Sequence, residues 1–209
     1  MKAVLLAGVM WAAAFSAPAA DAATLVTDGT TGIGSVHGAT GVIVGGNTYT
    51  VTFQDGSCAG LFSGCDEQTD FPFPSVPGSA VLTSLANDAV NALLTQVFPL
   101  ISGVEANPRL IRGCTSTAVC NALFPYFYNS AISGANVNLI GVQNTSSAPA
   151  ERFFRGTSQT SDFSILGQET YVTWTPSSIN APVPLPAALP LLMAGLASFG
   201  VLRRRRRTG

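Results

Sequence analysis

Val42-Ile43-Val44, Gly45-Gly46-Asn47, then Thr48-Tyr49-Thr50-Val51-Thr52-Phe53 reads as a β-hairpin with a glycine turn. In the second arm Tyr49, Val51 and Phe53 point one way and three threonines the other, the pattern of a strand with one wet face. Such a strand needs a covering layer. The sequence supplies one from about Ser79 to Phe98, where Leu82, Leu85, Ala86, Ala89, Leu93 and Val97 recur at helical spacing. Ser79 is the expected N-cap and Pro99 the expected stop. The fold class expected is therefore α+β, a mainly antiparallel sheet with one principal amphipathic helix packed on it.

Working outward, Thr117 to Phe124 reads as a short second helix ended by Pro125, and further strands are expected at Val137–Val142, Asp162–Leu166 and Glu169–Thr175. Between the hairpin and the helix lies a loop, Cys58 to Pro77, with prolines and an acidic cluster. Four cysteines, Cys58, Cys65, Cys114 and Cys120, form an even set that suits disulfides in an oxidising compartment. Their short local spacings favour 58–65 with 114–120. The alternative is a crossed pairing that ties the first hairpin to the second half. Zinc is disfavoured by the lack of a C-x-x-C motif and by a single histidine.

Both ends of the 209-residue chain look unlike the middle. Lys2, the apolar stretch Ala3 to Phe15 and Ala20-Asp21-Ala22 have the order of a secretory signal peptide, residues 1–22, with cleavage after Ala22 or Ala23. Residues 23–176 form the exported domain and 177–182 a short spacer. At the other end, Leu185 to Leu202 is 18 residues without a charge. As a helix it would span about 27 Å, close to the hydrocarbon thickness of a bilayer. Arg203, Arg204, Arg205, Arg206 and Arg207 follow at once and mark the cytoplasmic side. The alternative, a core helix with a solvated basic tail, would call for a polar face that this run lacks.

Val183, Pro184, Leu185, Pro186 and Ala187, ahead of that apolar run and arginine cluster, match the VPLPA variant of the PEP-CTERM sorting signals. The resemblance covers residues 183–209. It implies a Gram-negative host and recognition by an exosortase, a membrane-embedded cysteine transpeptidase that cuts near the motif. It also implies an inner-membrane precursor with its domain in the periplasm, and a product at the cell surface or in the exopolysaccharide matrix. It implies no catalysis by the tagged protein itself. A second segment, Tyr49-x-Val51-x-Phe53-x-Asp55-Gly56-Ser57-Cys58 continuing through Leu61-Phe62-Ser63-Gly64-Cys65-Asp66, resembles one found in other sorting-tagged bacterial proteins, a group without an assigned activity. It carries no site residues with it.

Between residues 23 and 184, four arginines stand against ten carboxylates, a net charge of −6. That balance disfavours nucleic acid and anionic lipid as partners. His37 is the only histidine, and no G-x-S-x-G is present, so no Ser-His-Asp or paired-histidine zinc machinery is expected. No cofactor is expected. Asp66, Glu67 and Asp70 are weak metal candidates, in a loop whose spacing lacks the EF-hand pattern. Phe71, Phe73, Tyr126 and Tyr128 fall in expected loops. Exposed, they would stack on sugar rings; turned inward, they would staple those loops to the core. Arg152-Phe153-Phe154-Arg155 suggests a local cation–π contact, and Asn144-Thr145-Ser146 fits the N-glycosylation pattern, though a bacterial origin argues against a glycan. The readings that remain are a non-enzymatic exported surface protein, a carbohydrate-binding module, and a hydrolase built on carboxylates.

Overall fold

The computed structural model describes residues 22–76, 78–134 and 136–177. The signal-peptide stretch, the VPLPA motif, the apolar run 185–202 and the arginine cluster lie outside the described residues. Among the described residues no helix is long and apolar enough to cross a membrane.

Seven strands form one mixed sheet: β1 (Thr24–Thr27), β2 (Val36–Val44), β3 (Asn47–Gln54), β4 (Val119–Tyr128), β5 (Val137–Thr145), β6 (Ala148–Thr157) and β7 (Glu169–Pro176). Their order across the sheet is β1-β2-β3-β7-β4-β5-β6. Every neighbouring pair is antiparallel except β4 with β7, which run parallel over only three residue pairs, Asn121–Glu169 to Leu123–Tyr171. A short helix, α1 (Cys58–Leu61), follows β3, and the principal helix, α2 (Ser84–Ala92), precedes β4. The α+β class is as the sequence indicates, with β1 and β6 as further strands.

The hairpin forms between β2 and β3 with Val44 opposite Asn47. Gly45 and Gly46 both adopt positive φ, 54° and 83°, the conformation a two-residue turn of this hand demands. Val51 and Phe53 are buried in the larger core cluster under α2, so the wet-and-dry reading of this arm is correct.

The helix starts later than expected. Ser79 turns its hydroxyl to the Val81 amide, and Thr83 instead caps the helix by accepting from the Ala86 amide. Starting at Ser84 buries Ala86, Ala89, Val90 and Leu93 but leaves Leu85 exposed. Beyond Ala92 the helix widens into a π turn, Leu93–Val97. That turn keeps Leu93 and Val97 buried while Gln96 faces β2. Beyond Thr40, β1 no longer covers the outer edge of β2, so the Ile43 backbone groups that point away from β3 need another partner. The Gln96 side chain supplies it: the Ile43 amide donates to Oε1 and Nε2 donates to the Ile43 carbonyl, both at 2.9 Å.

Thr117–Phe124 is not a helix. It enters β4, which runs straight through Pro125 and is buried on both faces along most of its length. A doubly buried strand has a continuous apolar run instead of an alternation, which is why its period misleads. Pro125 is tolerated because β7 pairs only with Asn121 to Leu123, and because a bulge sits between Pro125 and Phe127. Asp162–Leu166 is not a strand either. Phe163–Ile165 is a 3₁₀ turn whose start is capped by the Asp162 carboxylate on the Ser164 amide. The edge strand β6, unread in the sequence, takes up residues 148–157.

Gln96→Leu keeps the helix and removes both edge hydrogen bonds. We expect a loss of about 1–3 kcal/mol in urea unfolding, the cost of two stranded backbone groups. An unchanged unfolding midpoint would show that water satisfies Ile43 equally well.

Candidate functional site

The sheet has two covered faces, and alternation along β4 to β7 sends chemistry to each. On the helix face lie Ala122, Phe124, Ile140, Val142, Val172 and Trp174. On the other face Leu123, Val137, Leu139 and Tyr171 are covered by Cys58, Phe62, Cys65, Phe71 and Phe163. That second cover is mostly irregular chain with single helical turns, held by a disulfide. Cys58 is bonded to Cys65 and Cys114 to Cys120, with Cα–Cα distances of 5.6 and 5.7 Å. These are the two local loops, not the crossed pairing. Each closure contributes about 2–3 kcal/mol on a chain-entropy estimate.

Arg155 and Glu169 meet on the disulfide-covered face, where the Arg155 guanidinium donates to the Glu169 carboxylate. Glu169 is 1% exposed, whereas the Arg155 side chain is about a third open to solvent at 37%. The second Glu169 oxygen and the Tyr171 hydroxyl are buried without a hydrogen-bond partner among the described residues. The Arg155 guanidinium also lies 5.7 Å from the Phe163 ring centroid, and Phe163 stacks on Tyr171 at 4.2 Å. Burial raises the Tyr171 hydroxyl pKa well above its usual range, against the opposing pull of Arg155. The cation–π contact is thus with Phe163; alternation along β6 sends Phe154 to the opposite face, while Phe153 shares the face of Arg155, whose guanidinium turns to Glu169 and Phe163. Arg152 goes to the helix face, donating to Asn87 and Asn91 of α2.

The acidic loop uses its own charges. The Asp70 carboxylate accepts from the Asp66 and Glu67 amides at 3.2 and 3.3 Å, and the Glu67 side chain caps in return. Among the described residues no group of three or more His, Cys, Asp or Glu side chains is gathered as a metal would require. His37 sits in β2 with Nε2 3.9 Å from Asp28. The Asp28 carboxyl is held below its ordinary value mainly by the Thr30 amide and hydroxyl, with His37 a smaller contributor. Desolvation raises the Asp55 carboxyl, opposed by Arg112. Asn144 is fully buried and donates to the Val104 carbonyl, so it offers no glycosylation acceptor.

The four aromatics expected in loops divide. Phe71 and Phe73 are buried, and Phe73 packs edge-on against Tyr49, Phe124 and Trp174 at 5.1–5.9 Å. The irregular segment around them passes under the surface, so neither ring offers a sugar platform. Tyr126 and Tyr128 lie in β4 and not in a loop. Tyr128 is partly exposed and lines a groove with Gln68, Thr69 and Asn129. Tyr126 is buried at the bulge, where burial raises its hydroxyl pKa and the neighbouring Asn138 side chain opposes the rise. Near it on the sheet, Phe154 is 52% exposed, and with Tyr126, Asn138, Leu139, Arg155 and Gly156 it borders an open cleft of about 240 Å³.

Removing one partner of the ion pair leaves the other stranded. Arg155→Met should cost about 2–4 kcal/mol in thermal or urea unfolding, somewhat below the value for a fully dry pair because Arg155 is partly solvated. The double change Arg155→Met with Glu169→Leu should recover most of that loss. A double variant as unstable as the single would mean that the pair is not the source.

Comparison with known proteins finds no family model, no curated protein and no solved structure that matches this chain.

Proposed function

We propose that this is an exported, sorting-tagged protein that presents a disulfide-bonded domain at the cell surface or in the extracellular matrix. A signal peptide, residues 1–22, sends the chain out. The apolar run 185–202 and Arg203 to Arg207 hold the precursor in the inner membrane, and an exosortase cuts near Val183 to Ala187 and passes the domain on. In this reading chemistry is done on the protein, by signal-peptide cleavage, cysteine oxidation and the sortase, and the domain itself contributes no catalytic centre and uses no cofactor. The observation that carries it is the use of all four cysteines in two intradomain disulfides, a state suited to an oxidising compartment. The sequence of the tail supplies the route.

A second reading, a carbohydrate-binding module for exopolysaccharide, is favoured by one observation, the exposed Phe154 ring beside the Asn138 amide. Its platform is not the Phe71–Phe73 loop. The hydrolase reading draws no support from the carboxylates that suggested it, since Asp70 is engaged with backbone amides.

Intact mass and fractionation of the natural product, in the host with and without its exosortase, test the first reading. We expect the product to lack both the signal peptide and Arg203 to Arg207 and to lie outside the inner membrane. Without the sortase it should keep the arginines and stay in that membrane. A product that retains them in both strains would contradict the sorting route.

A further inference from the structure

Helix α2 covers only part of its face of the sheet. Arg152 reaches Asn87 and Asn91 of the helix, and two residues further along β6 Phe154 points the same way with its ring half open. Across from it, β4 carries the bulge between Pro125 and Phe127. A bulge re-aims side chains, and this one turns both Tyr126 and Phe127 to the helix face. Tyr126 packs its ring into the core, and Tyr126 and Asn138 both line the cleft beside Phe154. The cleft, about 240 Å³, is lined by Phe154, Tyr126 and Asn138 together with Leu139, Arg155 and Gly156, and so sets an exposed aromatic ring beside a phenol and an amide.

We propose that this cleft binds one neutral pyranose ring of a polysaccharide, stacked on Phe154 and hydrogen-bonded by Asn138 and the Tyr126 hydroxyl. The assignment rests on the carbohydrate-binding reading and gives it a site. A pyranose presents a C–H face to an aromatic ring and hydroxyls around its rim, so it needs one apolar wall and neighbouring groups that both donate and accept. An amide and a phenol are such groups. An anionic ligand is disfavoured, because Arg155, although it lines the cleft, commits its guanidinium to Glu169 on the other face of the sheet. A purely apolar ligand would leave the Asn138 amide stranded.

The test is titration of the full-length chain, in a detergent without a sugar headgroup, with glucose-, mannose- and galactose-based hexasaccharides, read by saturation-transfer NMR. We expect saturable binding to at least one of them, weakened about tenfold in Phe154→Ala and several-fold in Tyr126→Phe and Asn138→Ala. Phe154 is exposed, so its truncation leaves the fold intact, which near-UV circular dichroism checks. No saturable binding to any of the three, or binding undiminished in Phe154→Ala, overturns the assignment. So does a Phe154-dependent self-association in sedimentation without sugar binding. None of these outcomes bears on processing by the sortase, which the mass measurement tests separately.

Discussion

Asn121, Ala122 and Leu123 of β4 run parallel to Glu169, Thr170 and Tyr171 of β7, and through these three pairs two antiparallel ribbons become one sheet. On one side stands the ribbon β1-β2-β3-β7, on the other the meander β4-β5-β6. A parallel seam so short contributes few hydrogen bonds of its own. It holds because it is dry: all six residues are buried, and packed layers lie on both faces. The Asn121 amide adds a bond to the Gln168 carbonyl at the seam's end.

The rest of the domain can be understood as cover for that seam. Helix α2 and its π turn bury the face that holds Ala122 and Val172, and the Cys58–Cys65 loop buries the face that holds Leu123 and Tyr171. Apart from the single turn of α1 the loop has little regular structure with which to hold its shape, so a disulfide and the Asp70 hydrogen bonds do it. Arg155 spans from the outermost strand to Glu169 in the seam itself and ties the far edge of the meander to the first ribbon. A buried carboxylate with one unpartnered oxygen is a costly way to stabilise a fold. It links β6 to β7, two strands that share no backbone pairing in the sheet.

Legibility in the sequence followed the kind of burial. The β2–β3 hairpin was readable because Gly45-Gly46 and a one-sided alternation coincide, and α2 because its apolar stripe is one-sided as well. β4 was not, since burial on both faces erases the alternation and Pro125 looks like a helix stop. β6 was missed because an edge strand with exposed Ala148, Pro149 and Glu151 lacks a clean period. Phe71 and Phe73 were placed in a loop by their proline neighbours, with both exposure and core stapling open, and irregular chain here serves as a core layer. The Arg155–Glu169 pair was beyond reach. Its partners come from strands separated by β4 and β5, and only a curved sheet brings them together. The same alternation that splits Arg152 from Arg155 leaves Phe154 in the open, a consequence visible only once β6 is known to be a strand.

Export and display ask a domain to survive without cellular maintenance, and a fold with both sheet faces covered and no free cysteine among its described residues is suited to that. The account depends on the seam closing as part of one cooperative unit. Native-state hydrogen exchange on the disulfide-intact chain tests it most directly. We expect the amides of Asn121 to Leu123 and Glu169 to Tyr171 to exchange only through global unfolding, with the same free energy as the amides that join β4 to β5. Seam amides that exchange through a lower-energy opening, while β4-β5-β6 stays protected, would mean two ribbons laid side by side and would contradict it.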